Sequence, residues 1–178
     1  MKLSQDFYTG NPMDVGRQMV GAYLCRAMPD GAVVRARICE LELYTQDERA
    51  CHAVGGRRTT RNDAMFMSGG HAYVYLCYGL HNMLNIVVGP ADYAAAVLIR
   101  ALECDGCSGP GKLTHRLNIT RADNKADLTA AGATMWLEQG APVDIVAAPR
   151  IGVDYAGPDA ALPWRFMIAD SDYISHPA

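Results

Sequence analysis

The chain has 178 residues, half of them hydrophobic, enough for one domain of ordinary size with a substantial core. No apolar run approaches the ~20 residues that span a bilayer. The opening "MKLSQDFYTGNP" lacks the apolar segment of a secretory signal, so a cytoplasmic location is expected. Nineteen acidic against 16 basic residues leave a net charge of −3, which argues against nucleic-acid binding driven by bulk charge.

In chain order, "TGNPMDVGRQMVGAYL" predicts a helix capped by Asn11 and begun at Pro12, with Val15, Met19 and Tyr23 as its apolar stripe. "GAVVRARICELELY" alternates as a strand, and strict alternation places Val34, Ala36, Ile38, Glu40, Glu42 and Tyr44 on one face. A short helical turn follows at "RNDAMFM", closed by Gly69 and Gly70. "HAYVYLCYGLHNMLNIVVG" is aromatic and β-branched, and reads as strands interrupted at Gly79. "YAAAVLIRALE" suggests a further strand, though its alanines suit a helix equally. "GPGKLTHRLNI" turns into a short helix, and "TMWLE", "DIVAAPRIGV" and "PWRFMIAD" supply further strand candidates. Helix at the start and strands in succession predict a single α+β domain over residues 1–178, with a curved, largely antiparallel sheet and peripheral helices.

Six cysteines sit mostly in apolar runs, where a free thiol behaves as a small hydrophobe. Cys104 and Cys107 form a lone C-x-x-C without the second ligand pair of a zinc site, so two loop thiols are the simpler reading. Basic residues gather at Arg57, Arg58 and Arg61, and again at Lys112, Arg116, Arg121 and Lys125.

Three constellations could carry chemistry. An apolar strand face that turns acidic at Glu40 and Glu42 fits a strand reaching either solvent or the mouth of a pocket. Glutamates two apart point the same way and do not flank a bond from opposite sides, so one working carboxylate is favoured over a pair. In "YVYLCYG", Tyr73 and Tyr75 share a face, while Tyr78 beside the Gly79 turn suits an exposed wedge or stacking platform. Arg100, within an apolar strand, needs a partner that a glutamate such as Glu42 could supply.

The motifs "ELELY", "GGRRTTRNDAMFM", "AYVYLCYGLHNMLNIV", "VLIRALE", "CSGPGKL" and "RIGVDYAG…PWRF", in that order from Phe7 to Phe166, resemble the alkyladenine (3-methyladenine, methylpurine) DNA glycosylase family. The resemblance implies a fold like the formyltransferase C-terminal domain. It implies hydrolysis of the N-glycosidic bond of a damaged purine rotated out of duplex DNA. The family's T-E-A-Y segment matches "LELY", which makes Glu42 the implied base for a water attacking C1′ and Arg100 the residue that helps hold that water. Tyr44 and Tyr75 would sandwich the base with His52 at its edge, an aromatic slot suited to cationic alkylpurines. Asn85 would clash with the 2-amino group of guanine. Tyr78 would fill the gap left in the duplex, with Leu80 beside it, and Arg57, Arg58, Arg61 and Lys112 would meet the DNA backbone.

The family uses water and this chain has only Lys2, Lys112 and Lys125, so a monofunctional, monomeric enzyme that leaves an abasic site is expected. No metal, other cofactor or membrane partner is implied. Larger relatives carry a long basic insertion where this chain has only "CDG", which suggests weaker DNA engagement. A lesion-binding module of the same fold with little catalysis is therefore the alternative. An unrelated zinc or thiol enzyme built on Cys51, His52 and the C-x-x-C is a third.

Overall fold

A computed structural model describes residues 1–176. Two helices open the chain, α1 (Gln5–Tyr8) and α2 (Pro12–Met19). Asn11 caps α2 as its residue type predicts, its side chain accepting from the N–H groups of Met13 and Asp14. The helix is shorter than its periodicity suggests. Gly21, at φ 89°, turns the chain, and Tyr23 opens strand β1 (Tyr23–Ala27) instead of closing a helical stripe.

The remaining strands are β2 (Val33–Thr45), β3 (Ala72–Cys77), β4 (His81–Val87), β5 (Ala95–Leu102), β6 (Met135–Glu138), β7 (Ile145–Ala148) and β8 (Arg165–Ile168). They pair antiparallel throughout, in the order β3-β4-β5-β2-β1-β6, with β8 joining β2 to β7. The long β2 is the spine. β5 runs along one edge, while β1 and then β8 occupy the other. Helix α3 (Pro110–Arg116) begins after Gly109, whose φ of 129° turns the chain into it. The architecture is the expected α+β domain with a curled antiparallel sheet and few helices. None of the helices among the described residues is long and apolar enough to cross a membrane.

The sheet buries two unequal faces. Val15 and Met19 of α2 pack with Ile38, Leu41, Leu43, Val97, Ile99 and Phe166 in the main core. Opposite it, a smaller cluster holds Met65, Phe66, Tyr73 and Ala96, with Tyr44 and Tyr75 packed against it.

Strict alternation fails in the middle of β2, for a specific reason. Ala36 and Ile38 face the main core, but so do Leu41 and Leu43. Ile38 lies opposite Leu102, Glu40 opposite Ala101, and Leu41 opposite Ile99. Cys39 on β2 and Arg100 on β5 are thus each the extra residue of a bulge, and the inward phase of both strands slips by one there. Uninterrupted alternation would have driven Glu42 and Tyr44 into the core face. The slip turns them to the other side of the sheet.

Candidate active site

On that other side lies a cavity of about 450 Å3, lined by Glu42, Tyr44, His52, Arg61, Tyr75, Asn85 and Arg100 among others. The two bulges explain why a carboxylate and a guanidinium from neighbouring strands meet there. Glu42 follows the slip on β2 and Arg100 is the slipped residue of β5.

Glu42 is fully buried. Its Oε1 accepts from the Ile151 N–H at 2.7 Å, and its Oε2 from the Tyr44 hydroxyl at 2.7 Å and Arg100 Nη1 at 3.4 Å. Both oxygens accept, which is the pattern of a carboxylate, not of a carboxylic acid. Burial, and then the negative charge of Glu42, push the Tyr44 phenol far up, so it remains a donor.

Glu40 is no surface residue. It is fully buried and pairs with Arg100 Nε at 3.1 Å and with Arg165 Nη1 at 3.1 Å. Arg100 therefore bridges both glutamates, lying nearer the one outside the cavity lining.

The aromatic slot is assembled from two sides. Tyr44 comes from β2, and the Arg150 guanidinium lies 4.7 Å from its ring centroid. Tyr75 comes from β3 and meets the His52 ring edge-on at 4.7 Å and Tyr73 at 5.3 Å. His52 Nδ1 lies 2.9 Å from the Tyr73 hydroxyl. Burial raises that phenol to about 12, so it keeps its proton, and the tautomer of the imidazole decides which of the two groups donates. Burial, followed by the charge of Arg61, holds the His52 imidazole below its ordinary pKa. Asn85 Nδ2 donates to the Tyr73 carbonyl at 3.1 Å, which fixes the direction of its amide.

The other sequence candidates divide by how they are held. Tyr78 lines the mouth of the cavity, is 93% exposed, and has a φ of 49° that a bulky residue rarely adopts. The Leu80 N–H returns to the Cys77 carbonyl at 3.0 Å, closing a tight turn that presents Tyr78 and Leu80 to solvent. Arg57, Arg61 and Lys112 are exposed. Arg61 lies 5.5 Å from the Tyr75 ring centroid, and Arg58, though also exposed, is engaged with Asp63 at 2.7 Å, Asp92 at 3.4 Å and the Phe66 ring at 5.1 Å. Cys51 is buried and Cys107 lies in the main core. Among the described residues, no group of three or more His, Cys, Asp or Glu side chains could hold a metal ion.

Several lining and supporting groups escaped the sequence reading. Ile151 acts through its backbone, which carries no side-chain signature. Arg150 makes two hydrogen bonds to Glu48, at 2.7 and 2.8 Å, across 102 residues of chain. Tyr155, on the cavity wall, is 73% exposed and donates to the Ala50 carbonyl at 3.3 Å. Only the recurrence of "RIGVDYAG" in the family resemblance pointed to this segment.

A buried carboxylate held by an arginine thus lines an aromatic-walled cavity on a curled antiparallel sheet, an arrangement with room for a flat ring and a group able to take a proton. The sequence profile of methylpurine-DNA glycosylase matches residues 6–172, and the chain belongs to that family. It is 46% identical to a protein of Methanocella arvoryzae over 97% of this chain and 95% of that one. It is 45% identical to one of Anaeromyxobacter dehalogenans, covering 100% of this chain and 88% of that one. Identity to a Bacillus cytotoxicus protein is 34% over 98% of this chain and 100% of the relative. Each of the three is named "Putative 3-methyladenine DNA glycosylase".

Proposed function

We propose that this DNA glycosylase removes alkylated or deaminated purines, turned out of duplex DNA, by hydrolysing the N-glycosidic bond with a water activated by Glu42. The observation that carries the reading is the fixing of Glu42, by three donors, in the wall of an aromatic cavity of purine-accepting size.

The Glu42 carboxylate accepts a proton from water as that water attacks C1′. While still ionised it stabilises the positive charge that builds on the sugar as the base departs with the glycosidic electron pair, and it becomes neutral as the proton arrives and the water oxygen bonds to C1′. Arg100, shared between Glu40 and Glu42, orients the carboxylate and helps to hold the water. Tyr44 and Tyr75 stack on the extruded base, His52 meets its edge, and Asn85 excludes the 2-amino group of normal guanine. Tyr78, with Leu80, occupies the space vacated in the duplex. Arg57, Arg61 and Lys112 steer the phosphates. Arg58 would have to leave its carboxylate partners to join them.

No lysine is among the cavity-lining residues, and Lys125 is paired with Asp63. That supports a reaction that ends at the abasic site, without an amine adduct or strand cleavage.

The test is base release from duplex oligonucleotides carrying 3-methyladenine, 7-methylguanine, hypoxanthine or ethenoadenine. Glu42→Gln is expected to lose about 10²–10⁴-fold in excision rate while still binding lesion DNA. Undiminished excision would remove Glu42 from the mechanism. Lesion-dependent binding without release by the unaltered protein would favour the binding-module alternative.

A further inference from the structure

The family match ends at residue 172, yet the chain beyond it touches the buried ion cluster. The Ser175 N–H donates to Glu40 Oε2 at 2.5 Å. Its hydroxyl oxygen accepts from Arg100 Nε at 3.3 Å and from Arg100 Nη2 at 3.2 Å. Arg165, which also holds Glu40, donates to the His176 carbonyl at 3.0 Å. The approach is itself tied down, because Ser108 donates to the Ile174 carbonyl at 3.2 Å and Ser171 to Glu103 at 3.3 Å.

These contacts divide the nitrogens of one guanidinium between two tasks. Arg100 Nε and Nη2 meet Glu40 and the tail, while Nη1 meets Glu42. Glu40 and Ser175 are not among the cavity-lining residues, so neither would touch substrate. The contact to Glu42 is the longest of the Arg100 contacts, at 3.4 Å. The direction of Nη1 is thus set mainly by what grips the other two nitrogens. A planar guanidinium held at two nitrogens has its third fixed in direction. A buried arginine that loses those acceptors would rotate to find others.

We propose that Ser175 is a positioning residue, clamping Arg100 against Glu40 so that Nη1 points into the cavity at Glu42. The role rests on the proposed Glu42 reaction, but the clamp can also be read without it.

The experiment compares unaltered protein with Ser175→Ala, Ser175→Thr and Ser171→Ala, all as full chains. Single-turnover excision at saturating enzyme is measured beside lesion-DNA affinity and thermal stability. Ser175→Ala is expected to slow excision about tenfold, with affinity and midpoint little changed, because the lost acceptor serves a charged group. Ser175→Thr, which keeps the oxygen, should restore most of the rate. Ser171→Ala loosens the tail without touching Arg100 and should match the unaltered protein. Equal losses in Ser171→Ala and Ser175→Ala, or no loss in Ser175→Ala, would overturn the proposal.

Nitrogen-resolved NMR of the Arg100 Nε–H, assigned by its disappearance in Arg100→Lys, gives a readout independent of catalysis. Its exchange with water should quicken in Ser175→Ala and stay slow in Ser175→Thr. Unchanged exchange in Ser175→Ala would also overturn the clamp. If the unaltered protein releases no base, the proposed reaction fails while this measurement still decides the clamp.

Discussion

Between Glu40 and Glu48, three carboxylates lie inside the protein, each joined to an arginine from a distant part of the chain. Along the rim, Arg57 and Arg61 and the Tyr78–Leu80 tip stand in solvent. Buried charges persist only when paired, so the interior network fixes geometry at a cost in desolvation. The rim is shaped by a tight turn that holds Tyr78 out in solvent, and its cations are exposed, with Arg61 lying 5.5 Å from the Tyr75 ring centroid. Under the proposed function, the first region supplies stability and aim, and the second meets the DNA. Each region can be altered separately.

The largest effect is expected in the interior. Arg150→Met leaves the Glu48 carboxylate buried without its cation and removes the guanidinium beside Tyr44. The expected loss is about 3–5 kcal/mol, a large part of ordinary domain stability, read by urea denaturation. Replacing Glu48 by Leu as well should recover much of it, because the orphaned charge is then gone. A loss below about 1 kcal/mol would show that the pair is not the structural anchor its burial implies.

At the rim the same experiment should read the other way. Tyr78→Ala removes a 93% exposed ring, so stability should stay within about 0.5 kcal/mol. Excision should fall roughly tenfold or more, the scale of a lost base-stacking contact. A large stability change with intact excision would reverse the assignment of the two regions.

The contrast also explains what the sequence could reveal. The Asn11–Pro12 start, the Tyr78–Gly79 turn and the β3–β4 hairpin are local features, and local residue types specify them. The paired bulges at Cys39 and Arg100 are not local, since each needs its neighbour strand to become visible. Alternation alone therefore gave Glu42 the wrong face, and the family resemblance rather than the pattern identified it. Arg150 with Glu48, and Ser175 with Glu40, join residues more than 100 positions apart. Strand β1 was hidden because "MVGAYL" continues a helical stripe until Gly21 breaks it.

His52 lies between the two regions, exposed as a residue but with its ring packed against Tyr73 and Tyr75, and its replacement should have the smallest effect. Burial and Arg61 hold its imidazole below the ordinary value of 6.5, which favours the neutral form near pH 7 and makes it a poor proton donor to a leaving base. In the tautomer whose Nδ1 accepts from Tyr73, the ring proton sits on Nε2, where it can mark the edge of a base as a neutral donor. His52→Gln should therefore leave hypoxanthine excision within a few-fold near pH 7.5. The linkage to stability has a definite sign. The unfolded chain takes up the proton first as pH falls below 6.5, so the folded protein loses stability from there down to the depressed folded value. The contribution fades over roughly one pH unit above 6.5 and is then constant. Unfolding free energies of the unaltered protein and His52→Gln should thus differ by a constant at alkaline pH, with the unaltered protein losing ground in acid. A gain for the unaltered protein in acid would mean that the pocket stabilises an imidazolium, and would restore His52 as a candidate proton donor.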